Sequence, residues 1–261
     1  MKIKINKGKR IGKVVFICEG DKTELDYLKF IFNDLLKYNL HKKNRYDKNI
    51  DQFDGVDDFS HVYVISLPNG NCLKNIPLTN VERDEIFHTI YELDKNIDLK
   101  NSSVYYIWDR DCNTNTLKDV ENAINIYTCS QNDSETPNGL LLLSYPCVES
   151  FLLNCYEKNS YIKNRHHQGH ADLKALINQK RYKARDLKFK DLENGTHELL
   201  NFFQFLCEYD FKLEDLDDFK EHNKKILDVE EQNYQHEDKY FCISNILLAL
   251  IDLQIIELVI D

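Results

Sequence analysis

The chain has 261 residues, 42% of them apolar, and a formal net charge of −10. That length fits one large domain, or one domain with a smaller appendage, and the negative balance argues against a simple nucleic-acid-coating protein. No apolar run is long enough for a membrane helix, and eight cysteines without a C-x-x-C pair suit reduced, structural thiols of a cytoplasmic protein rather than a zinc ribbon.

The average charge hides an asymmetry. Residues 1–13 carry six basic groups and no acid, and no apolar signal core. Residues 158–190 carry ten Lys or Arg against two Asp, and residues 191–261 carry five basic groups against eighteen acids. A basic middle beside an acidic tail implies a polarised molecule.

In chain order, residues 14–18 (Val-Val-Phe-Ile-Cys) form the first apolar, β-rich run, ending at Glu19-Gly20. Residues 23–38 follow with Leu25, Leu28, Ile31, Leu35 and Leu36 on one helical face. The second strand is predicted at 61–67 and the second helix at 81–93. The third strand, 103–108, ends in Asp109-Arg110-Asp111, and a third helix is predicted over 117–128. A fourth buried strand spans 139–144, and 148–156 opens another helix. Loops rich in Asn, Asp, Gly and Pro are expected at 42–60, 68–79 and 130–138. This βαβαβαβα pattern, with near-continuous apolar strands, predicts an α/β fold with a parallel sheet covered on both faces. The last hundred residues offer no strand set. Helices are predicted at 171–179, 197–209, 213–229 and 243–258, the last ambiguous between helix and strand.

Two strand ends deliver carboxylates to the edge where open α/β sheets bind ligands. A hard cation such as Mg²⁺ takes oxygen ligands, with water and substrate phosphate completing its shell. Gly20 lets the chain turn sharply and lets a phosphate approach the backbone. Asp109 and Asp111, two apart in extended chain, point to one side, and Arg110 either points away or reaches a phosphate. Taken singly, such acids are loop residues or helix caps. Asp21 or Thr23 suits the cap of the next helix, and Glu24 suits its first turn. Taken together, at equivalent strand ends, they point to a divalent-metal site.

Glu19-Gly20 after the first strand, with Asp109-x-Asp111 after a later strand of the same sheet, resembles a TOPRIM domain. That family includes topoisomerases, bacterial primases, RNA maturases and OLD-type nucleases. The string Cys18-Glu19-Gly20-Asp21-Lys22-Thr23-Glu24-Leu25-Asp26-Tyr27 is more specific. It resembles the opening of RloB-like proteins, which are OLD-related and found with phage-defence loci. Tyr145-Pro146-Cys147-Val148-Glu149-Ser150-Phe151-Leu152-Leu153 is similar to a second segment of that group. The resemblance covers about residues 13–157 and fades afterwards. It implies a Rossmann-like TOPRIM catalytic domain over 1–157, with a mainly parallel sheet flanked by helices. A basic segment and an acidic, mainly helical region follow over 158–261.

By that resemblance, Glu19 acts as general acid/base or metal ligand, and Asp109 and Asp111 hold Mg²⁺ or Mn²⁺. Glu149 and Glu24 are candidates for a second ion, two ions clamping both oxygens of a phosphodiester. On residues alone, Glu149 also suits a first-turn helix acid, and Glu24 a capping acid. The implied function is a metal-dependent nuclease acting on DNA or RNA, tRNA included, in anti-phage or abortive-infection defence. An ATPase encoded nearby is its implied regulatory partner. Other TOPRIM enzymes need further modules for which the chain has little room. The alternative is a non-catalytic or ATPase-regulated subunit that binds nucleic acid or a phage protein.

Two further segments carry charge. His166 and His170, within Arg165-His166-His167-Gln168-Gly169-His170, are spaced as on a zincin helix, but no H-E-x-x-H is present and Gly169 interrupts. They suit a polar loop, or a phosphate contact. Lys180, Arg181, Tyr182, Lys183, Arg185 and Lys188 interleave bases with an aromatic, which suits nucleic-acid backbone contacts with stacking by Tyr182, or a solvated helix face. Phe202-Phe203-Gln204-Phe205 suits core or a protein interface. The acidic tail is a candidate homodimer element, ATPase docking surface or cap. No P-loop, G-x-S-x-G or dinucleotide fingerprint occurs.

Overall fold

The computed structural model describes residues 2–20, 22–42, 49–67, 73, 76, 80–93, 101–131, 138–163 and 170–259. Strands β1 (Lys2–Ile5), β2 (Lys13–Cys18), β3 (Asn39–Lys42), β4 (Asn49–Asp54), β5 (His61–Ser66), β6 (Ser102–Asp109), β7 (Thr128–Cys129), β8 (Gly139–Tyr145), β9 (Ile243–Ser244) and β10 (Ile256–Val259) alternate with helices. These are α1 (Thr23–Lys29), α2 (Asn80–Leu93), α3 (Leu117–Ile126), α4 (Ser150–Tyr156), α5 (Ser160–Lys163), α6 (His170–Lys180), α7 (Phe189–Leu206), α8 (Lys220–Glu237) and α9 (Ile246–Asp252).

The main sheet runs β3-β4-β5-β2-β6-β8-β7, with β9 also pairing to β8. Its centre, β5-β2-β6-β8, is parallel. Every residue of β6 and β8 is buried, which is why they read as uninterrupted apolar runs. Phe16 stacks on Tyr105 across β2 and β6, with centroids 5.1 Å apart. Helix α3 buries Val120, Ala123 and Ile124 and opens with a reciprocal Thr116–Asp119 capping box.

The architecture is therefore α/β with helices flanking the sheet, but the sheet is mixed. The pairs β3–β4, β4–β5, β7–β8 and β8–β9 are antiparallel. Strand β4 lies in the stretch expected to be loop. Its Asn, Asp and Gln mask the pattern, yet Ile50 and Phe53 reach the core and even Asp51 and Gln52 are buried. The loops expected at 68–79 and 130–138 fall largely outside the described residues. The first helix changes pitch: after Lys29, residues Phe30–Leu35 form a π-helical turn, closed by the Leu36 N–H donating to the Ile31 carbonyl at 3.0 Å.

The C-terminal region also departs from expectation. The run at 243–258 is both alternatives in turn: β9, α9 and β10, with Gln254 in the left-handed region (φ +54°) ending the helix. Strand β10 pairs antiparallel with β1. Residues on either side of position 157 share one hydrophobic core. Helix α7 packs closely on α4 at Gly195, where a Cβ would lie 2.9 Å from Leu247 Cδ1 and 3.0 Å from Cys155 Sγ. Among the described residues, no helix is long and apolar enough to cross a membrane.

Candidate carboxylate site and adjoining groove

The chain leaves β2 toward β5 on one side and leaves β6 toward β8 on the other. The strand order thus reverses between β2 and β6, and the crevice outside their carboxyl ends is where such sheets place ligands. Glu19 follows β2 directly, and its amide donates to the Ile107 carbonyl at 3.1 Å. Asp109 ends β6, and its amide donates to Glu19 Oε2 at 2.8 Å. After β8 the chain turns so that the Val148 amide donates to Asp109 Oδ1 at 2.7 Å, which places Glu149 beside it. Three adjacent strand ends thereby bring Glu19, Asp109 and Glu149 to one point.

Asp111 and Glu24 join them. Glu19, Glu24, Asp109, Asp111 and Glu149 are all exposed by 9% or less, and all line one cleft of about 340 Å³. Asp111 sits in a turn in which the Asn115 amide donates to its carbonyl at 2.9 Å and the Asn113 amide to its Oδ1 at 3.1 Å. Glu24 folds back over Gly20, where a Cβ would lie 2.6 Å from Glu24 Oε2. A side chain at 20 would push that carboxylate aside, a small movement for the far end of a flexible side chain.

The bland alternatives for these acids hold in part, because Glu24 stands in the first turn of α1 and accepts from its own and the Gly20 amides. Helix α1 has no side-chain cap at its start, Thr23 lies inside the helix, and Asp21 is outside the described residues. Glu149 stands at the N-terminal cap of α4 without a side-chain capping bond.

The electrostatics are those of crowded like charges. Burial pushes the Asp109 carboxyl far above its usual range, and the neighbouring Glu19, Glu24 and Glu149 push it further. Burial likewise raises Glu24, with Glu149 adding to the rise, while hydrogen bonds from the Glu24 and Gly20 amides and the charge of Lys174 oppose it. Lys174, on α6, places Nζ 3.3 Å from Glu149 Oε1. Burial works against the Lys174 charge, but the charge and hydrogen bond of Glu149, with Cys147 and Asp109 adding to them, together raise the ammonium's pKa. The other oxygen, Glu149 Oε2, is buried without a hydrogen-bond partner. A buried carboxylate oxygen in that state asks for a water, a proton or an ion.

Five carboxylates supply oxygen ligands of the kind a hard divalent cation takes. Among the described residues, however, no three His, Cys, Asp or Glu side chains are grouped to hold a metal as they stand. Glu19 Oε2 accepts from the Asp109 amide and Asp109 Oδ1 from the Val148 amide.

Arg110 takes the first of its two expected courses and points away. It is 3% exposed, its Nε donates to Glu231 Oε1 at 2.7 Å, and its Nη1 donates to the Asn115 carbonyl at 2.9 Å. The guanidinium also lies 5.9 Å from the Tyr240 ring centroid. A phosphate role for Arg110 is not supported, since it lies outside the cleft lining and anchors α8 beneath the site. Replacing Glu231 with Ala leaves a buried guanidinium without its carboxylate. A stability loss of roughly 3 kcal/mol in urea unfolding is expected, and a loss under about 1 kcal/mol would show the pair to be a surface ornament.

The basic segment divides. Lys180 pairs with Glu157, and Tyr182 donates its hydroxyl to the same carboxylate at 3.0 Å while stacking on Tyr156 at 4.4 Å. Tyr182, Lys183 and Arg185 line a groove of about 470 Å³ that shares Lys22 and Thr23 with the carboxylate cleft. Arg181 and Lys188 are exposed outside that lining. Residues 165–169 lie outside the described residues, and of His170 only its place in α6 is described. The sequence reading missed Lys174 and Lys22 as individuals. Lys174 was one of many bases in its segment, and Lys22 lay unremarked inside the quoted string. Phe202 and Phe203 are core, whereas Phe205 is 67% exposed.

Comparison of the chain with family models, with curated proteins and with solved structures returned no match.

Proposed function

We propose that the carboxylate cleft binds one or two Mg²⁺ or Mn²⁺ ions and that the protein is a TOPRIM-type nuclease hydrolysing a phosphodiester of DNA or RNA. The observation that carries this is the delivery of Glu19, Asp109 and Glu149 from three adjacent strand ends into one buried cleft at the switch point. Glu149 Oε2 is left without a partner there.

Asp109, Asp111 and Glu19 would hold one ion, and Glu149 with Glu24 a second. When bound, such ions activate water and neutralise charge on the phosphate. The remaining work falls to the chain. The Val148 amide and the Glu19 carboxylate hold Asp109 and its backbone in place. Lys174 and Lys22, on the rim of the cleft, face the phosphate oxygens with positive charge. If Glu19 does not ligate the ion, it instead serves as the base that takes a proton from the attacking water. A defence setting and a regulatory ATPase come from the sequence resemblance.

The test is an assay of pure protein on DNA and on tRNA-rich RNA with Mg²⁺, Mn²⁺ or EDTA. Cleavage with either cation and none in EDTA is expected. Equal cleavage in EDTA, or none on any substrate with or without the partner ATPase, would remove the proposal. Cleavage only after the ATPase is added would favour the regulated-subunit form.

A further inference from the structure

We infer that the groove beside the carboxylate cleft is a subsite for single-stranded nucleic acid, holding the nucleotides next to the scissile phosphate. One wall is α1 and its π-helical continuation, contributing Lys22, Lys29 and Phe30. The other wall is the turn after α6, contributing Tyr182, Lys183 and Arg185. The two walls touch where the 3₁₀ turn Ala184–Asp186 packs on the π-helical turn. This inference rests on the nuclease proposal for its orientation, but not for its test.

Three observations support the assignment. The first is continuity: Lys22 and Thr23 line both the groove and the cleft, so a strand lying in one reaches the other. The second is a reversal of charge along that path. The cleft lining holds five carboxylates against two lysines, whereas the groove lining holds four cations against the two carboxylates Asp26 and Asp34. A cation belongs at the first end and a phosphate backbone along the second.

The third is a pre-ordered aromatic. Tyr182 is fixed by its stack on Tyr156 and by the bond from its hydroxyl to Glu157, so little order is lost when a base meets it. Lys180 shares Glu157, so it braces the platform rather than meeting the strand. The π-helical turn on the facing wall fits the same picture, because such turns concentrate at functional sites.

The groove's size and its fixed aromatic together point to the form of nucleic acid. A space of about 470 Å³ is that of a small-molecule site. It has room for a nucleotide or two, and a base stacks on the fixed Tyr182 ring only when it is unpaired. The substrate class is therefore single-stranded ends, loops or unpaired segments.

The experiment measures binding without cleavage. Fluorescein-labelled ten-nucleotide single strands of DNA and RNA, and duplexes of the same sequence, are titrated in EDTA and read by anisotropy at several salt concentrations. Single strands are expected to bind wild-type protein more tightly than duplexes. The double variant Lys183→Glu/Arg185→Glu is expected to bind roughly tenfold or more weakly, with a log–log salt slope shallower by about 1.4. Lys29→Glu is expected to act in the same direction. Lys212→Glu, the same charge change beside a different cavity, is expected to bind as wild type.

Duplex binding as tight as single-strand binding overturns the inference. So does wild-type affinity in the double variant, or displacement of the oligonucleotide by polyglutamate at equal charge. Groove binding with no cleavage on any substrate with Mg²⁺ or Mn²⁺, with or without the partner ATPase, would leave the subsite and remove the nuclease. Cleavage with unchanged binding in the groove variants would do the reverse.

Discussion

Replacing Asp109 with Asn is expected to lower cation-dependent cleavage by about 10³-fold or more while leaving the protein folded. The introduced amide would keep a carbonyl oxygen for the Val148 N–H, which donates at 2.7 Å to Asp109 Oδ1 in the wild type. What the substitution removes is one negative charge from a buried group that Glu19, Glu24 and Glu149 already oppose. Loss of that repulsion should leave the metal-free protein as stable as wild type, or more so. A purely structural aspartate gives the opposite pattern, since its removal lowers stability and activity together. A site residue trades stability for function. Single-turnover rates and thermal melting of the same preparations separate the two. Activity within tenfold of wild type would remove Asp109 from the machinery.

The second large effect is expected on stability, as pH and cation are varied together. Burial and neighbouring carboxylates raise the folded-state pKa of Asp109 and Glu24 above their unfolded values. A carboxyl so shifted favours the folded state fully below its unfolded pKa, near pH 4. That contribution is lost as pH rises through the folded value. The metal-free protein is therefore expected to lose part of its stability as pH increases from about 4 toward neutrality. Asp109→Asn is expected to lose less over the same range.

Divalent cations should reverse the trend. They bind the ionised native carboxylates, compete with protons, and stabilise more at higher pH. At a free concentration a hundredfold above Kd the gain is about 2.7 kcal/mol. Melting curves across this range, with EDTA or Mn²⁺, give the result directly. A Mn²⁺ shift that is the same in wild type and Asp109→Asn would place the ion elsewhere.

The parallel centre of the sheet was legible because burial on both faces writes itself into sequence as unbroken apolar runs. Val14 to Cys18, Val104 to Trp108 and Leu140 to Leu143 are all fully buried. Their carboxylate ends were legible for the same reason, since an acid directly after such a run stands out. The antiparallel edges were not. Strand β4 carries Asp51 and Gln52 inward as well as Ile50 and Phe53, so neither alternation nor an apolar run marks it. Strands β9 and β10 flank α9 within a single mostly apolar stretch, broken at its turns by Ser244-Asn245 and by Asp252 and Gln254.

At the site, spacing placed Glu19, Asp109 and Asp111 but said nothing of Lys174, which arrives from α6 on a contact 25 residues beyond Glu149 in sequence. Arg110 shows the limit most plainly. A base between two acids in a loop suggests a phosphate contact, but its partner Glu231 lies 121 residues away and turns it into an anchor.

Isothermal titration of Mn²⁺ into metal-free protein tests the central claim most directly. Wild type is expected to bind one or two ions, with Asp109→Asn and Glu149→Gln each weakening or removing a binding event. Isotherms that are identical for wild type and both variants, or that show no binding at all, would contradict it.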